Sequence, residues 1–495
     1  MNEIFLIFPI LLPIIFGALS LVIPENKKRT RNVYTFALLV LCAASVWLLA
    51  LKAPSEKITL FNFMEGMSFA LCLDGAGKIF SCLAATLWPL TALYAFEYMA
   101  HEENTKVFYA FFIMAFGATM GVAYASDIVT MYLFYELLTL FTIPLVMYGA
   151  GEKNISAAKK YMLYSFGGAA FAFACVIFLA SKDATVFALG GALSFGASEQ
   201  TTALVLFLFA FFGFGVKAAI FPFHGWLPSA SVAPTPVTAL LHAVAVVKAG
   251  VFAIIRLIYY SYGTEALSGT WAQSVAMIFA IITIFYGSSK AFKQTHFKRR
   301  MAYSTVANLS YIIFAATLMT DAGLLASLIH LVFHSVIKIC LFFGVGAVLH
   351  HAGKEYIRDL AGIGKKMPPT FFCFTLAALS RVGIPPFCGF VSKWFIAEGA
   401  IFHWFIAEGA IFHGSPLAIV GTVVLMISAF FTAMYALSVI IKAYSPSSNS
   451  NNNLENAHEA GMLMKIPMVI CALSCVLLGI FSEGFIEIIA KAVGI

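Results

Sequence analysis

Phe207–Pro222 is apolar throughout except for Lys217. A lysine at the centre of a bilayer costs about 2.5–3.5 kcal/mol on insertion scales, so its presence there points to function. Pro222 and His224-Gly-Trp-Leu-Pro228 follow, where a continuous helix is hard to keep. Glu136 is the carboxylate placed near the middle of an apolar segment. An isolated buried carboxylate or lysine tends to its neutral form, whereas a pair keeps both partners charged. Glu136 with Lys217 is therefore a candidate proton gate, its state set by their separation. A buried pair can also be purely structural.

His330, His334 and Lys338 recur at intervals of four and so share one helix face. At bilayer depth that stripe suggests a proton relay, since histidine titrates near neutral pH. His242 and Lys248, six residues apart, fall on different faces of one helix and should meet different neighbours. Lys393 stands seven residues after Pro386. Arg256 and Arg381 are expected to hold helix ends, and Asp127 and Glu97 to be solvated at span ends.

The elements that must position these groups are membrane helices. The chain has 495 residues, 61% hydrophobic and only 11% charged, against about a quarter charged in soluble domains. The reading is an all-α polytopic membrane protein with fourteen apolar segments of spanning length. They lie near 3–23, 33–51, 77–99, 107–125, 127–149, 161–181, 202–222, 236–260, 271–289, 302–320, 324–350, 370–398, 416–441 and 466–490. The first lacks a basic leader region and reads as a retained span, not a signal peptide. Nineteen Lys or Arg fall in joins on one side and four (Lys52, Lys57, Lys182 and Lys491) on the other. The positive-inside rule then places both termini outside the cytoplasm of a cell membrane. The net charge of +7 is thus a topology signal, with no nucleic-acid partner implied.

The interior divides into two groups of five spans, residues 105–260 and 270–445, preceded by 1–100 and followed by 446–495. The fourth span of each group is interrupted, at Lys217…Pro222 and at Gly383-Ile-Pro385-Pro386…Lys393. Five spans per group make the two inverted in topology, and paired broken helices point to an ion site near the midplane. Proline alone is common in membrane helices, so the accompanying lysines carry the argument. Trp394–His403 recurs unchanged as 404–413. Ten helical residues turn the face by about 280°, so the second copy cannot extend the span with the same face inward. Glu398, Glu408, His403 and His413 therefore carry little weight.

Competing motifs fail. Gly213-Phe-Gly215 lies inside a span with no preceding strand, and Gly362-Ile-Gly-Lys-Lys366 lacks P-loop spacing. The nine cysteines form no zinc pattern. No cofactor, metal or redox chemistry is expected in this chain.

Phe223-His-Gly-Trp-Leu-Pro-Ser-Ala, Ala233-Pro-Thr-Pro-Val-Thr-Ala-Leu-Leu-His242, Lys298-Arg-Arg-Met-Ala-Tyr-Ser-Thr, His334-Ser-Val-Ile-Lys338 and Gly383-Ile-Pro-Pro-Phe-Cys-Gly-Phe-Val-Ser-Lys393 occur in this order. Together they resemble the antiporter-like membrane subunits of respiratory complex I, Mrp antiporters and membrane-bound hydrogenases. That resemblance implies that Glu136 and Lys217 form the family's charged pair. It makes Lys248 and Lys338 relay lysines and Lys393 the exit residue. Lysine at 393, with the chain ending soon after its last span, looks most like the Mrp D-type subunit. The implied function is translocation of H⁺, alone or with Na⁺, beside homologous membrane subunits and a soluble redox module. A stand-alone antiporter and a transport-inactive spacer are the alternatives.

Overall fold

A computed structural model describes residues 3–52, 57–64, 67–149, 151–405, 416–446, 454 and 457–495. Its helices, in chain order, are α1 (Phe8–Leu19), α2 (Lys28–Leu51), α3 (Gly75–Tyr98), α4 (Thr105–Tyr124), α5 (Ile128–Met147), α6 (Glu152–Ser181) and α7 (Gln200–Lys217). There follow α8 (Trp226–Ala230), α9 (Thr235–Ala243), α10 (Val246–Arg256), α11 (Thr264–Leu267), α12 (Trp271–Lys293), α13 (Phe297–Thr317) and α14 (Asp321–Ala352). The last are α15 (Ile363–Lys366), α16 (Pro368–Val382), α17 (Cys388–Phe405), α18 (Pro416–Tyr444), α19 (Met462–Ile480) and α20 (Ser482–Val493). An antiparallel hairpin, β1 (Ile58–Met64) with β2 (Met67–Leu71), fills the join between α2 and α3, where no strand was expected. The second copy of the repeated decamer lies almost wholly outside the described residues.

Eleven described helical segments are long and apolar enough to cross a membrane. The other three expected spans have separate reasons for falling short. The α1 helix is short, α13 opens on Lys298-Arg-Arg300, and the twelfth span is split into α16 and α17. The last span is a correction: instead of running to 490 it ends at Ile480. A separate amphipathic helix follows, with Glu483, Glu487 and Lys491 on one edge and Ile489 and Val493 buried.

Two segments form the centre. The most apolar 18-residue stretches of Thr235–Tyr262 and Asp321–Ala352 are buried throughout, whereas only a third of the corresponding residues in Lys28–Leu51, Pro416–Tyr444 and Met462–Ile480 are buried. Polar side chains and irregular backbone are tolerated at membrane depth where protein encloses them. The α14 helix packs against α3, α9, α13, α16, α17 and α19, so its histidine stripe faces protein on every side.

Both expected helix breaks are present, and both close on a left-handed residue. At the end of α7, Ala219 has φ +57°, Ile220 N–H donates to Gly215 O and Ala219 N–H to Val216 O. That is a Schellman closure with alanine where glycine is usual. The α16 helix ends on Gly383 at φ +91°, with Ile384 N–H reaching Leu379 O. A third break was not expected. Between α9 and α10, Val244 and Ala245 leave helical geometry, and no proline or glycine marks the spot. The six-residue arithmetic for His242 and Lys248 on one helix therefore does not apply.

Asp74 caps α3 by accepting from Gly77 N–H at 2.9 Å and takes both guanidinium nitrogens of Arg256. This ion pair ties the end of α10 to the start of α3. Removing one member of a fully buried pair costs about 3–5 kcal/mol, and the one-third exposure of Asp74 lowers that cost here. Arg256→Ala should lower the melting temperature in detergent well below that of Arg256→Lys, which keeps the charge but loses the bidentate geometry. Gly389 in α17 is pressed onto α16: a Cβ there would lie 1.8 Å from Ser380 O. Gly389→Val should therefore destabilise the protein by about 1–3 kcal/mol, read as an earlier thermal transition.

Candidate functional site

Lys217 is the last residue of α7 and fully buried. The negative end of a helix favours a cation there. Its Nζ lies 3.2 Å from Glu136 Oε1 and 3.2 Å from the centre of the Tyr135 ring, and donates to Tyr135 O. The carbonyls that α7 frees at its end have partners: Tyr135 Oη donates to Phe214 O and Trp226 Nε1 to Val216 O at 2.7 Å. The predicted pair is thus in contact, and the surrounding aromatic donors keep the broken backbone satisfied. Glu136 Oε2 has no partner among the described residues.

Gly250 presses α10 onto the break. A Cβ at Gly250 would be 2.6 Å from Ala218 N and 3.0 Å from Lys217 Cβ. Two residues earlier on α10, the Nζ of Lys248 is 2.6 Å from His334 Nδ1. The His334 and His330 rings stack with centroids 5.8 Å apart. His330 Nδ1 lies 3.0 Å from Ser392 Oγ, and the next residue is Lys393. Its Nζ donates to Arg381 O at 2.6 Å and Val382 O at 2.9 Å, the last carbonyls of α16. Each broken span therefore places a lysine at the C-terminal end of a half-helix, Lys217 by its own position and Lys393 by reaching back.

Lys338 shares the α14 face but turns away from this line. It donates to Met301 O at 2.9 Å and to Ser304 Oγ, which also accepts from Arg381 Nη1 at 2.9 Å. His242 packs on Phe342 with ring centroids 4.8 Å apart, and neither of its nitrogens has a partner among the described residues. The Nε2 atoms of His330 and His334 share that condition. Buried polar atoms without protein partners are uncommon and leave room for water at these nitrogens. No hydrogen bond joins Lys217 to Lys248 among the described residues.

Two carboxylates were misread. Asp127 is fully buried rather than solvated, and caps α5 by accepting from Thr130 N–H at 2.7 Å. Glu97 accepts from Gly461 and Met464 N–H at the start of α19 and lies 3.3 Å from His351 Nε2. Sequence reasoning also missed Ser392, Ser304 and Tyr311, whose ring lies 5.5 Å from that of His330 and 5.8 Å from Lys393 Nζ. Serine and tyrosine are too frequent in apolar helices to stand out without their neighbours.

Known proteins are similar to this chain in sequence and in fold. A Na(+)/H(+) antiporter subunit A1 of Staphylococcus haemolyticus is 30% identical over 497 residues, covering 95% of this chain and 60% of the relative. One from Staphylococcus aureus strain JH9 is 29% identical with the same coverage. The chain thus spans about 60% of the length of these curated relatives, which are A-type subunits rather than the expected D-type. The fold matches the Mrp complex from Dietzia sp. DQ12-45-1b, with TM-score 0.84 and 24% identity over 99% of this chain and 52% of that one. It also matches the membrane-bound sulfane sulfur reductase, an archaeal respiratory membrane complex, with TM-score 0.84 and 21% identity over 98% and 96% of the two chains. The model of the NADH:quinone oxidoreductase/Mrp antiporter transmembrane family matches residues 125–412, more than half of the chain, and this multi-pass membrane protein belongs to that family.

Proposed function

We propose that the chain is an ion-translocating subunit of a multi-subunit membrane complex, moving protons through its buried lysine and histidine groups. The observation that carries this is the buried line Lys248–His334–His330–Ser392, with the Tyr311 ring beside both His330 and Lys393, which reaches the second broken helix from the segment packed against the first. In this reading residues 105–260 and 270–445 are inverted repeats, and the Lys/Arg-rich side is cytoplasmic with both termini opposite. A proton enters near Lys217, whose affinity for it is set by contact with Glu136. It then crosses by way of Lys248, His334 and His330 and leaves at Lys393, with His242 and Lys338 flanking the line.

Homologous membrane subunits and a soluble redox module are the proposed partners, as the complexes named for the relatives suggest. Transport of Na⁺ alongside H⁺ is carried by those names alone. The finer D-type assignment rests on lysine at position 393, whereas the curated relatives are A-type. The partner subunits that co-purify with the chain decide between the two.

Vesicles holding the chain with its native partners give the test. Lys217→Met should reduce coupled proton flux about tenfold or more while assembly persists; unchanged pumping would sink the scheme. Retained coupling in Lys217→Ala with Lys393→Ala would instead identify a spacer subunit. Lys248→Met and His334→Gln should each block flux, and the double variant should be no worse than either single one. That non-additivity is expected of two groups in one line; independent, multiplying losses would place them on separate routes.

A further inference from the structure

The Lys/Arg-rich side carries a second cationic site that plays no part in the proposed route. A cavity of about 540 Å³ opens between the start of α13, the segment before α15 and the end of α18. Arg300, Arg358 and Lys442 line it, with Tyr356, Thr295 and Ser438. Arg300 is 8% exposed, fixed by bonds to Gln294 O, Tyr435 O and Ser438 Oγ. Arg358 is 81% exposed, and its guanidinium stands 5.3 Å over the Tyr356 ring. The N-terminal end of α13 adds its own positive field.

This charge is poorly offset. The nearby acids are Asp359, 3.6 Å from Arg358 Nε, and Glu355, 3.8 Å from His296. Among the described residues no carboxylate is within ion-pair distance of Arg300, Lys442, Arg381 or Lys338. Arg381 and Lys338 lean on Ser304, one helical turn further along the helix that Arg300 opens. An anion in the cavity would neutralise the end of that cationic column.

The surroundings say which anion. On α18, Ser438 and Lys442 face the cavity, while Leu437 and Ile441, each one residue earlier, are exposed. Met434 and Phe430 continue that apolar stripe, and Phe292 of α12 is exposed near it, its ring 5.9 Å from Phe431. A cationic pocket at the edge of an apolar stripe matches an amphiphile with a negatively charged head. We propose that this cavity binds the phosphate of an anionic phospholipid, whose acyl chains lie along the α12–α18 face. The single charge of the phosphate is shared by Arg300, Arg358 and Lys442, and the lipid pins α13 to α18.

The test uses the full chain, delipidated in mild detergent with its native partners, and native mass spectrometry with phosphatidylglycerol, phosphatidylcholine and inorganic phosphate as separate probes. Phosphatidylglycerol should bind in preference to phosphatidylcholine and resist displacement by excess phosphate. Arg358→Gln with Lys442→Gln should weaken it about thirtyfold, the effect of two surface charges, while phosphatidylcholine adducts stay unchanged. Leu437→Ser with Ile441→Ser should weaken lipid binding through the chains alone. Equal binding of the two lipids, or no effect of the charge variants, overturns the proposal. Displacement by inorganic phosphate reassigns the cavity to a free anion. A cross-link from Arg358→Cys to a partner subunit reassigns it to a protein interface.

Discussion

The fold rests on how it holds positive charge away from water. Four buried lysines bond to main-chain carbonyls: Lys217 to Tyr135 O, Lys298 to Ala233 O, Lys338 to Met301 O, and Lys393 to Arg381 O and Val382 O. Among the described residues only Lys217 of the four also meets a carboxylate. A carbonyl accepts from an ammonium and from a neutral amine alike, so losing a proton leaves no stranded counter-charge behind. The contrast is Arg256, which never deprotonates and is matched to Asp74 on both nitrogens. Carbonyl-held lysines are suited to exchange; the arginine pair is suited to holding helices together.

Free carbonyls of this kind require broken helices, and broken helices require enclosure. A continuous helix uses its carbonyls internally, so acceptors for Lys393 exist only because α16 stops at Val382. The apolar stretches of the two charge-bearing central segments are buried throughout, while the peripheral helices turn apolar faces outward. The Schellman closure at Ala219 and the glycine closure at Gly383 then set where each helix ends. The position of the lysines and the position of the breaks are therefore one design problem.

Much of this was legible because charge in an apolar run is conspicuous. Lys217, Glu136, Lys393 and the α14 stripe stood out by composition, and Pro222, Pro385 and Pro386 marked two breaks. The third break, at Val244–Ala245, carried no such residue; tertiary packing imposes it on a segment whose local preference is helical. Asp127 and Glu97 were misplaced for a related reason. Their sequence position near span ends is correct, but each is turned inward to cap a helix, which depends on a neighbour rather than on local sequence. The α20 helix was read into the last span because its apolar content alone does not distinguish a separate amphipathic helix from a continuation of the span.

The geometry around α14 also bears on which branch of the proposed route conducts. From His334 the stripe offers two directions. One runs through Lys338 to Ser304, whose hydroxyl is shared with Arg381. A guanidinium does not give up its proton, so that branch ends in a group that cannot pass one on. The other runs through His330 to Ser392 and Lys393, and every group along it can both accept and donate. In the proposed route Lys338 would then act from the side, held by Met301 O and Ser304 Oγ next to the line and not within it. On the proposed route, a stripe at regular spacing on one helix thus divides into a relay pair and a flanking lysine, a distinction set by α13, α16 and α17 and not by the helix that carries all three.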